Sequence, residues 1–290
     1  MERLMPMRAV IFSVLCYALV AAAPVRAAGG EDVDRSGAPS STLDLSLALY
    51  VGGIPLGKVM LSAHLQGATY KATSSLETLG IVNTFWQSRI ETAANGTLAG
   101  ATVHPSSYDS FSQYRKAERR QVTLSYGPEG PRSVYSNPPY PESRYQVSEP
   151  QRRNALDPLS GAILLIAASP DNGKGPCNAV APIFDGRRRY DVGVDLVRKL
   201  DIKLGNGLYN GPGLLCQVHY TQVAGYQQTL VEQGKKLPPI YAWVAPLKSG
   251  LDARRRYMVP LRIWAETDFG MVVALASEAK LDGETLAPHN

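Results

Sequence analysis

From Thr42 onward, apolar and polar side chains exchange places residue by residue, and this period of two constrains the fold more than any other feature of the chain. Leu43, Leu45, Leu47 and Leu49 alternate with Asp44, Ser46, Ala48 and Tyr50. Successive side chains of a strand point to opposite faces, so the pattern predicts a strand with one apolar face. Gly52-Gly53 turns the chain, Pro55 marks a sheet edge or an irregular position, and Val59, Leu61, Ala63 and Leu65 resume the alternation. Gly67 turns it again before a short strand over 70–76. Strands joined by such tight turns read as an antiparallel meander.

Residues 81–92 include Ile81, Val82, Phe85, Trp86 and Ile90, which fit a helical stripe as well as a strand. Strand is the reading taken, because Asn95-Gly96 is a hairpin signal ahead of 97–103. A strand over 121–126 puts Val122 and Leu124 on one face, and 128–150, with six prolines, reads as a long loop with one short strand around Val134. That loop is a place for a lid or binding edge. After it comes the one good helix. Asp157 caps it, Pro158 takes its first position, and Ser169-Pro170 stops it. Nearly every side chain over 162–168 is apolar, so this helix must be buried on almost all sides, as a plug in a curved sheet.

Strands return beyond the helix, and two segments are near copies. Residues 185–194 (DGRRRYDVGV) and 252–261 (DARRRYMVPL) align without a gap. In each, the Tyr and the following Val, Val or Leu share one face, while Arg187 with Arg189, or Arg254 with Arg256, share the other. The copies predict two equivalent hairpins entered from an Asp-led turn, with the arginines on solvated strand edges. Leu214 to Val223 forms a strand carrying Cys216, 240–244 carries Trp243, and Asp268-Phe269-Gly270 turns a final hairpin. The predicted class is mainly β: a large bent antiparallel sheet, a half-barrel or β-spiral, around one buried helix.

The N-terminus has Arg3 and Arg8, an apolar run over 9–23 and Val25-Arg26-Ala27, the order of a secretory signal cleaved after Ala27. An uncleaved anchor is the competing reading; Leu15 before Cys16 argues against lipidation. The expected organisation is a signal peptide at 1–27, a Gly, Ser, Asp and Pro-rich disordered leader at 28–41, a single mainly-β domain at 42–282 and a tail at 283–290. Processing would remove Cys16 and leave Cys177 and Cys216 in an oxidising compartment, so these two are expected to form a structural disulfide. It would also remove three arginines and Glu2, lowering the formal charge from +5 to +3, too mild for a nucleic-acid binder. The arginine clusters offer a second use as contacts for anionic headgroups.

Catalytic signatures are missing: there is no G-x-S-x-G, H-E-x-x-H, G-x-x-x-x-G-K-[ST] or G-x-G-x-x-G. Gly205 to Gly213 lacks a lysine and opens no helix, so it reads as a loop that uses positive φ, with ligand cradling as the alternative. Cys177, Cys216 and His219 resemble a zinc set only superficially, because 216 and 219 face opposite ways in a strand and a disulfide consumes both thiols. Glu91, Glu118, Asp195, Glu266 and Asp268 leave a paired-carboxylate hydrolase open without giving it a geometry. No catalytic residue, metal or cofactor is assigned, and the ligand-binding residues are unknown.

The stretch Leu49-Tyr50-Val51-Gly52-Gly53-Ile54-Pro55-Leu56-Gly57, the Asp157-Pro158-Leu159-Ser160 helix start, Phe184-Asp185-Gly186-Arg187-Arg188-Arg189-Tyr190 and Pro260-Leu261-Arg262-Ile263 together resemble the exported bacterial family called domain of unknown function 3108. The resemblance covers 42–282. It implies a Gram-negative periplasmic or envelope-associated protein with a bent antiparallel sheet around a helix, similar in kind to lipoprotein carriers, and it supplies no catalytic residues. The expected function is binding or chaperone-like, for a lipid, acyl chain or extended peptide. A structural or protein-interaction module in envelope maintenance and a hydrolase of an envelope polymer are the alternatives. The expected partners are a lipid, an acyl chain or an envelope protein, without nucleic acid and without a transmembrane segment in the mature chain.

Overall fold

The computed structural model describes residues 38–79, 87–114, 118–140, 145–168, 173, 175–234, 237–268 and 270–286. The signal-like segment, residues 28–37 of the leader, and Ile81, Val82, Phe85 and Trp86 lie outside them. Seven strands run up to the helix: β1 (Ser40–Val51), β2 (Ile54–Gln66), β3 (Thr69–Thr78), β4 (Ser88–Ala99), β5 (Thr102–Tyr114), β6 (Glu118–Gly127) and β7 (Gly130–Asn137). Seven follow it: β8 (Asn178–Phe184), β9 (Arg189–Lys203), β10 (Asn210–Ala224), β11 (Ile240–Lys248), β12 (Arg256–Thr267), β13 (Gly270–Leu281) and the short β14 (Glu284–Thr285). All belong to one 14-stranded sheet in the order β7-β6-β5-β4-β3-β2-β1-β13-β12-β11-β10-β9-β8, with β14 on β13. Two antiparallel meanders are thus joined back to back where β1 pairs with β13.

The period-two reading holds through the first meander. Leu43, Leu45, Leu47, Val59, Leu61, Ala63, Leu65, Tyr70, Ala72 and Leu76 are all buried on one continuous core face. The Asn95-Gly96 hairpin is a correction. Both residues lie inside β4, which turns only at Gly100. Gly96 is demanded by proximity: a Cβ there would sit 2.3 Å from the His104 carbonyl oxygen and 2.8 Å from the Tyr70 hydroxyl, and the β4–β5 register slips between Asn95 and Gly96. The glycine makes a bulge where a turn was expected. The proline-rich stretch contains the expected strand around Val134, which runs as β7 for eight residues.

Three helices are described: α1 (Glu149–Arg152), α2 (Pro158–Ile163) and α3 (Gln228–Gly234), with a π-helical turn (Leu164–Ala168) continuing α2. All six residues of α2 are buried, and the helix packs against β3, β4, β5 and β8, the sheet curving round it. Gly161 permits this contact, because a Cβ would lie 2.9 Å from the Ile183 side chain. Burial on all sides is interrupted, however, at the first two residues of the π-turn and resumes at Ile166, Ala167 and Ala168. Leu164 and Leu165 are only half-buried, which corrects the expectation for 162–168 as a whole.

The two ends of the strand order are brought together by residues 152–156. The Asn154 N–H donates to the Glu129 carbonyl in the β6–β7 turn, and Leu156 forms a parallel bridge to Ile183 on the free edge of β8. An unpaired β8 edge would be a template for aggregation; here the connecting chain covers part of it.

Candidate functional site

The start of α2 places two fully buried polar side chains, Asp157 and Ser160, in the core. Asp157 Oδ1 accepts the N–H groups of Leu159 (3.0 Å) and Ser160 (2.8 Å), and Oδ2 accepts the Ser160 hydroxyl (2.5 Å). The Ser160 Oγ lies 2.6 Å from the Tyr70 hydroxyl. Burial pushes the Asp157 carboxyl up to about 6, against the hydrogen bonds from Ser160 and the helix amides, which pull it down. Burial, reinforced by the charge of Asp157, holds the phenols of Tyr70, Tyr108 and Tyr126 above their ordinary range. The carboxylate is spent on capping its own helix, and its surroundings are closed to solvent.

A different arrangement surrounds the π-turn. Ala181, Ile183, Tyr190, Val192 and Tyr226 form a buried floor, and against it lie the half-buried side chains of Leu164, Leu165, Val218, Tyr220, Leu230 and Val231. They come from the π-turn, β10 and α3, so three separate elements leave apolar surface at one margin. The Tyr220 and Tyr226 hydroxyls are 2.5 Å apart, and the Tyr190 and Tyr220 rings pack at a tilt of 36° with centroids 5.1 Å apart. Burial raises Tyr190 and Tyr226 far above the usual phenol range, so both phenols stay protonated. Such a surface can hold apolar or amphiphilic matter, with the tyrosine hydroxyls as its polar handle.

The two cysteines are joined as the sequence predicts: Cys177 and Cys216 form a disulfide with Cα atoms 6.1 Å apart. The bond ties the loop before β8 to β10 across the intervening β9, and Leu214, Ala242 and Val244 bury it. His219 points away from the bond and meets Asp195 at 2.9 Å on the exposed face. Of the other carboxylates, Glu91 is buried beside Arg89, while Glu118, Glu266 and Asp268 are exposed at strand ends or in a turn. The 205–213 loop is the β9–β10 hairpin; Leu204 and Tyr209 fold into the main core, and the Asn206 side chain donates to the Ala276 carbonyl. Among the described residues, no group of three or more His, Cys, Asp or Glu is placed to hold a metal ion.

The two arginine-rich copies do occupy equivalent hairpin turns, β8–β9 and β11–β12, and Tyr190 and Tyr257 are both fully buried. Their arginines differ from expectation. Arg187 and Arg254 lie in the turns themselves, where Asp185 accepts the N–H groups of Arg187 and Arg188 and Asp252 accepts that of Arg254. Arg189 is buried, donating to the Tyr190 carbonyl and to Asp191 at 2.6 Å, whereas Arg256 is exposed. Each strand begins two residues later than the pattern assumed, at Arg189 and at Arg256, and the charge of Arg189 is kept in the fold by Asp191.

Two clusters escaped the sequence reading. Arg262 lies over both the Trp243 and Trp264 rings, 5.2 and 5.0 Å from their centroids, a pairing announced by no spacing because it spans β11 and β12. Asp282 accepts the Ser41 and Ser249 hydroxyls and the N–H groups of Thr42 and Gly250, linking the start of β1, the β11–β12 turn and the end of β13. A half-open outward depression of about 220 Å³ between β3, β4 and β5 is lined by Lys71, Thr73, Asn95, Ser107 and Asp109 together with Ala72, Ala93 and Ala94, and most of its exposed lining is apolar.

No curated protein matches the chain. Among solved structures, it is similar to the beta-barrel-like protein of domain of unknown function DUF1849 from Brucella abortus, with 10% identity and a TM-score of 0.48 over 84% of this chain and 97% of that one. The profile of the family described as "Protein of unknown function (DUF3108)" matches residues 46–277, from within β1 to within β13 and so through both meanders and the helix between them. A match over that much of the fold places the chain in the DUF3108 family.

Proposed function

We propose that the protein is a binding or chaperone-like component of the cell envelope, holding an acyl chain, a lipid or an extended peptide at the apolar margin beside the π-turn. The observation that carries this reading is the contrast along one helix: α2 is buried at every residue, yet Leu164 and Leu165, directly after it, stay half-exposed among Val218, Tyr220, Leu230 and Val231. Apolar side chains gathered from three elements and left partly uncovered form a surface that gains by being covered. The buried disulfide and the signal-like N-terminus support a location outside the cytoplasm. No helix among the described residues is long and apolar enough to cross a membrane.

Two measurements test it. Native mass spectrometry of protein purified without detergent is expected to show a retained amphiphile, and a fluorescent fatty acid is expected to bind saturably and to be weakened by Leu164→Ser or Leu230→Ser. A bare mass together with no saturable fatty-acid or peptide binding overturns the reading in favour of a structural or protein-interaction module.

A further inference from the structure

We infer that Arg120 and Arg187, held against the ring of Tyr140, form a binding site for a phosphate-type oxyanion. The Arg120 guanidinium carbon lies 4.4 Å from the Tyr140 ring centroid and that of Arg187 5.2 Å from it. Arg120 belongs to β6 and Arg187 to the β8–β9 turn, so the two halves of the sheet each deliver one cation to a ring in the chain that connects them. Arg120 also donates to the Pro138 carbonyl. Among the described residues neither arginine forms an ion pair with a carboxylate. Two like charges against one aromatic ring repel each other, and the ring quadrupole compensates only part of that cost.

The position of Arg187 is built into the backbone. A Cβ on Gly186 would lie 2.6 Å from Val122 Cγ1, and one on Gly225 would lie 2.4 Å from the Arg187 carbonyl oxygen, so glycines on both sides let the turn seat against β6 and the end of β10. Asp185 fixes the turn from within by accepting the amides of Arg187 and Arg188 at 2.8 and 2.6 Å. The duplicate turn supplies an internal comparison. There the Asp252 carboxylate accepts from the Arg254 side chain at 3.2 Å and lies 3.7 Å from that of Arg255, so the duplicate neutralises its own arginines. At the first copy the hydrogen bonds of Asp185 run to backbone amides, its charge reaches the Arg187 side chain only from beyond ion-pair distance, and the Arg187 guanidinium goes to the ring. A planar guanidinium with unspent N–H donors matches phosphate oxygens in forked geometry. Next to it, Arg188 lies 5.4 Å from the ring centroid of Tyr226, which belongs to the floor of the apolar margin. The oxyanion site stands without the acyl-chain reading, since it rests on other residues.

Calorimetric titration of the full chain tests the site, with inorganic pyrophosphate as one probe and phosphatidylglycerol vesicles, against phosphatidylcholine vesicles, as the other. Pyrophosphate is expected to saturate one site per chain at about millimolar concentration and to weaken by about ten-fold in Arg120→Gln and in Arg187→Gln, with Arg254→Gln unchanged. Because the two variants lie on different elements, a folding defect in one, seen as a lowered melting midpoint, leaves the other to decide. Binding of phosphatidylglycerol with the same loss in both variants assigns the oxyanion to a lipid headgroup; pyrophosphate binding alone assigns it to a soluble or glycan-borne phosphate. No saturation with either probe, or an equal loss in Arg254→Gln, overturns the site.

Discussion

Asp157 shows how one residue can be indispensable locally and costly globally. It caps α2 with two amides and a hydroxyl, yet burial raises its carboxyl from 3.8 to about 6. The folded chain therefore holds this proton more tightly than the unfolded chain does. The sign follows: the contribution of Asp157 to stability is most favourable below pH 3.8, declines as the pH rises from there to about 6, and is constant above that. Asn caps a helix as well as Asp but carries no charge to desolvate. Asp157→Asn is expected to gain on the parent as the pH rises from about 4 to 7, by about 3 kcal/mol at most. Urea unfolding at a series of pH values checks this, and a difference between the two proteins that does not change with pH contradicts it.

At the scale of elements, the helix start and most strands were legible because each rests on a local rule: Asp157-Pro158 is a cap and first turn wherever it occurs, and alternation reports one buried face. Asn95-Gly96 misled for a physical reason, since the same flexibility that suits a hairpin turn also suits a bulge, and only the approach of Tyr70 and His104 from neighbouring strands decides between them. The apolar margin was illegible because Leu164 and Leu165 belong to the same apolar run as Ile163 and Ile166; what separates them is the side-chain cluster they reach, Ile163 and Ile166 lying in the main core, Leu165 against the cluster of Tyr190 and Tyr226, and Leu164 against both. This division makes a prediction. Ile163→Asp would bury an unpaired carboxylate in the main core and is expected to abolish soluble folding, while Leu165→Asp, at the half-buried margin, is expected to fold with a loss of about 1–3 kcal/mol. Equal urea midpoints for the two variants would show that the π-turn is as enclosed as α2. The disulfide acts at this scale too: Cys216→Ser releases a 39-residue separation and the tie of β8 to β10, with an expected cost of about 2–4 kcal/mol by thermal or urea unfolding of the oxidised parent beside the variant.

For the molecule as a whole, the meeting of the two meanders is held by more than the β1–β13 ladder. Asp282 collects hydrogen bonds from Ser41, Thr42, Ser249 and Gly250, and Tyr257 donates to Ser41 at 2.9 Å, so one carboxylate clamps three chain segments. Its own burial pushes the Asp282 carboxyl up, but the hydrogen bonds from Ser249, Ser41 and the amides outweigh this and leave it below the usual range. Asp282→Ala would strand those donors and place a Cβ residue without a polar side chain at φ 57°, and is expected to cost about 2–4 kcal/mol. Because the folded carboxyl is depressed, the stabilisation it gives is present above the unfolded value and is lost as the pH falls through the folded one. The deficit of Asp282→Ala against the parent is therefore expected to shrink below about pH 4, which acid titration of both proteins followed by circular dichroism would read.

The placement of β1 between β2 and β13 also sets an order of events. β1 to β7 come first in the chain and can pair with one another ahead of the rest, each strand finding its neighbour next in line. The other edge of β1 must wait for a strand whose end lies 241 residues on, at Asp282. Until then the incompletely folded chain carries a row of open backbone donors and acceptors along a leucine-rich strand, a template for pairing with a second copy. The final hairpin, by arriving last, turns an adhesive half-molecule into a closed one.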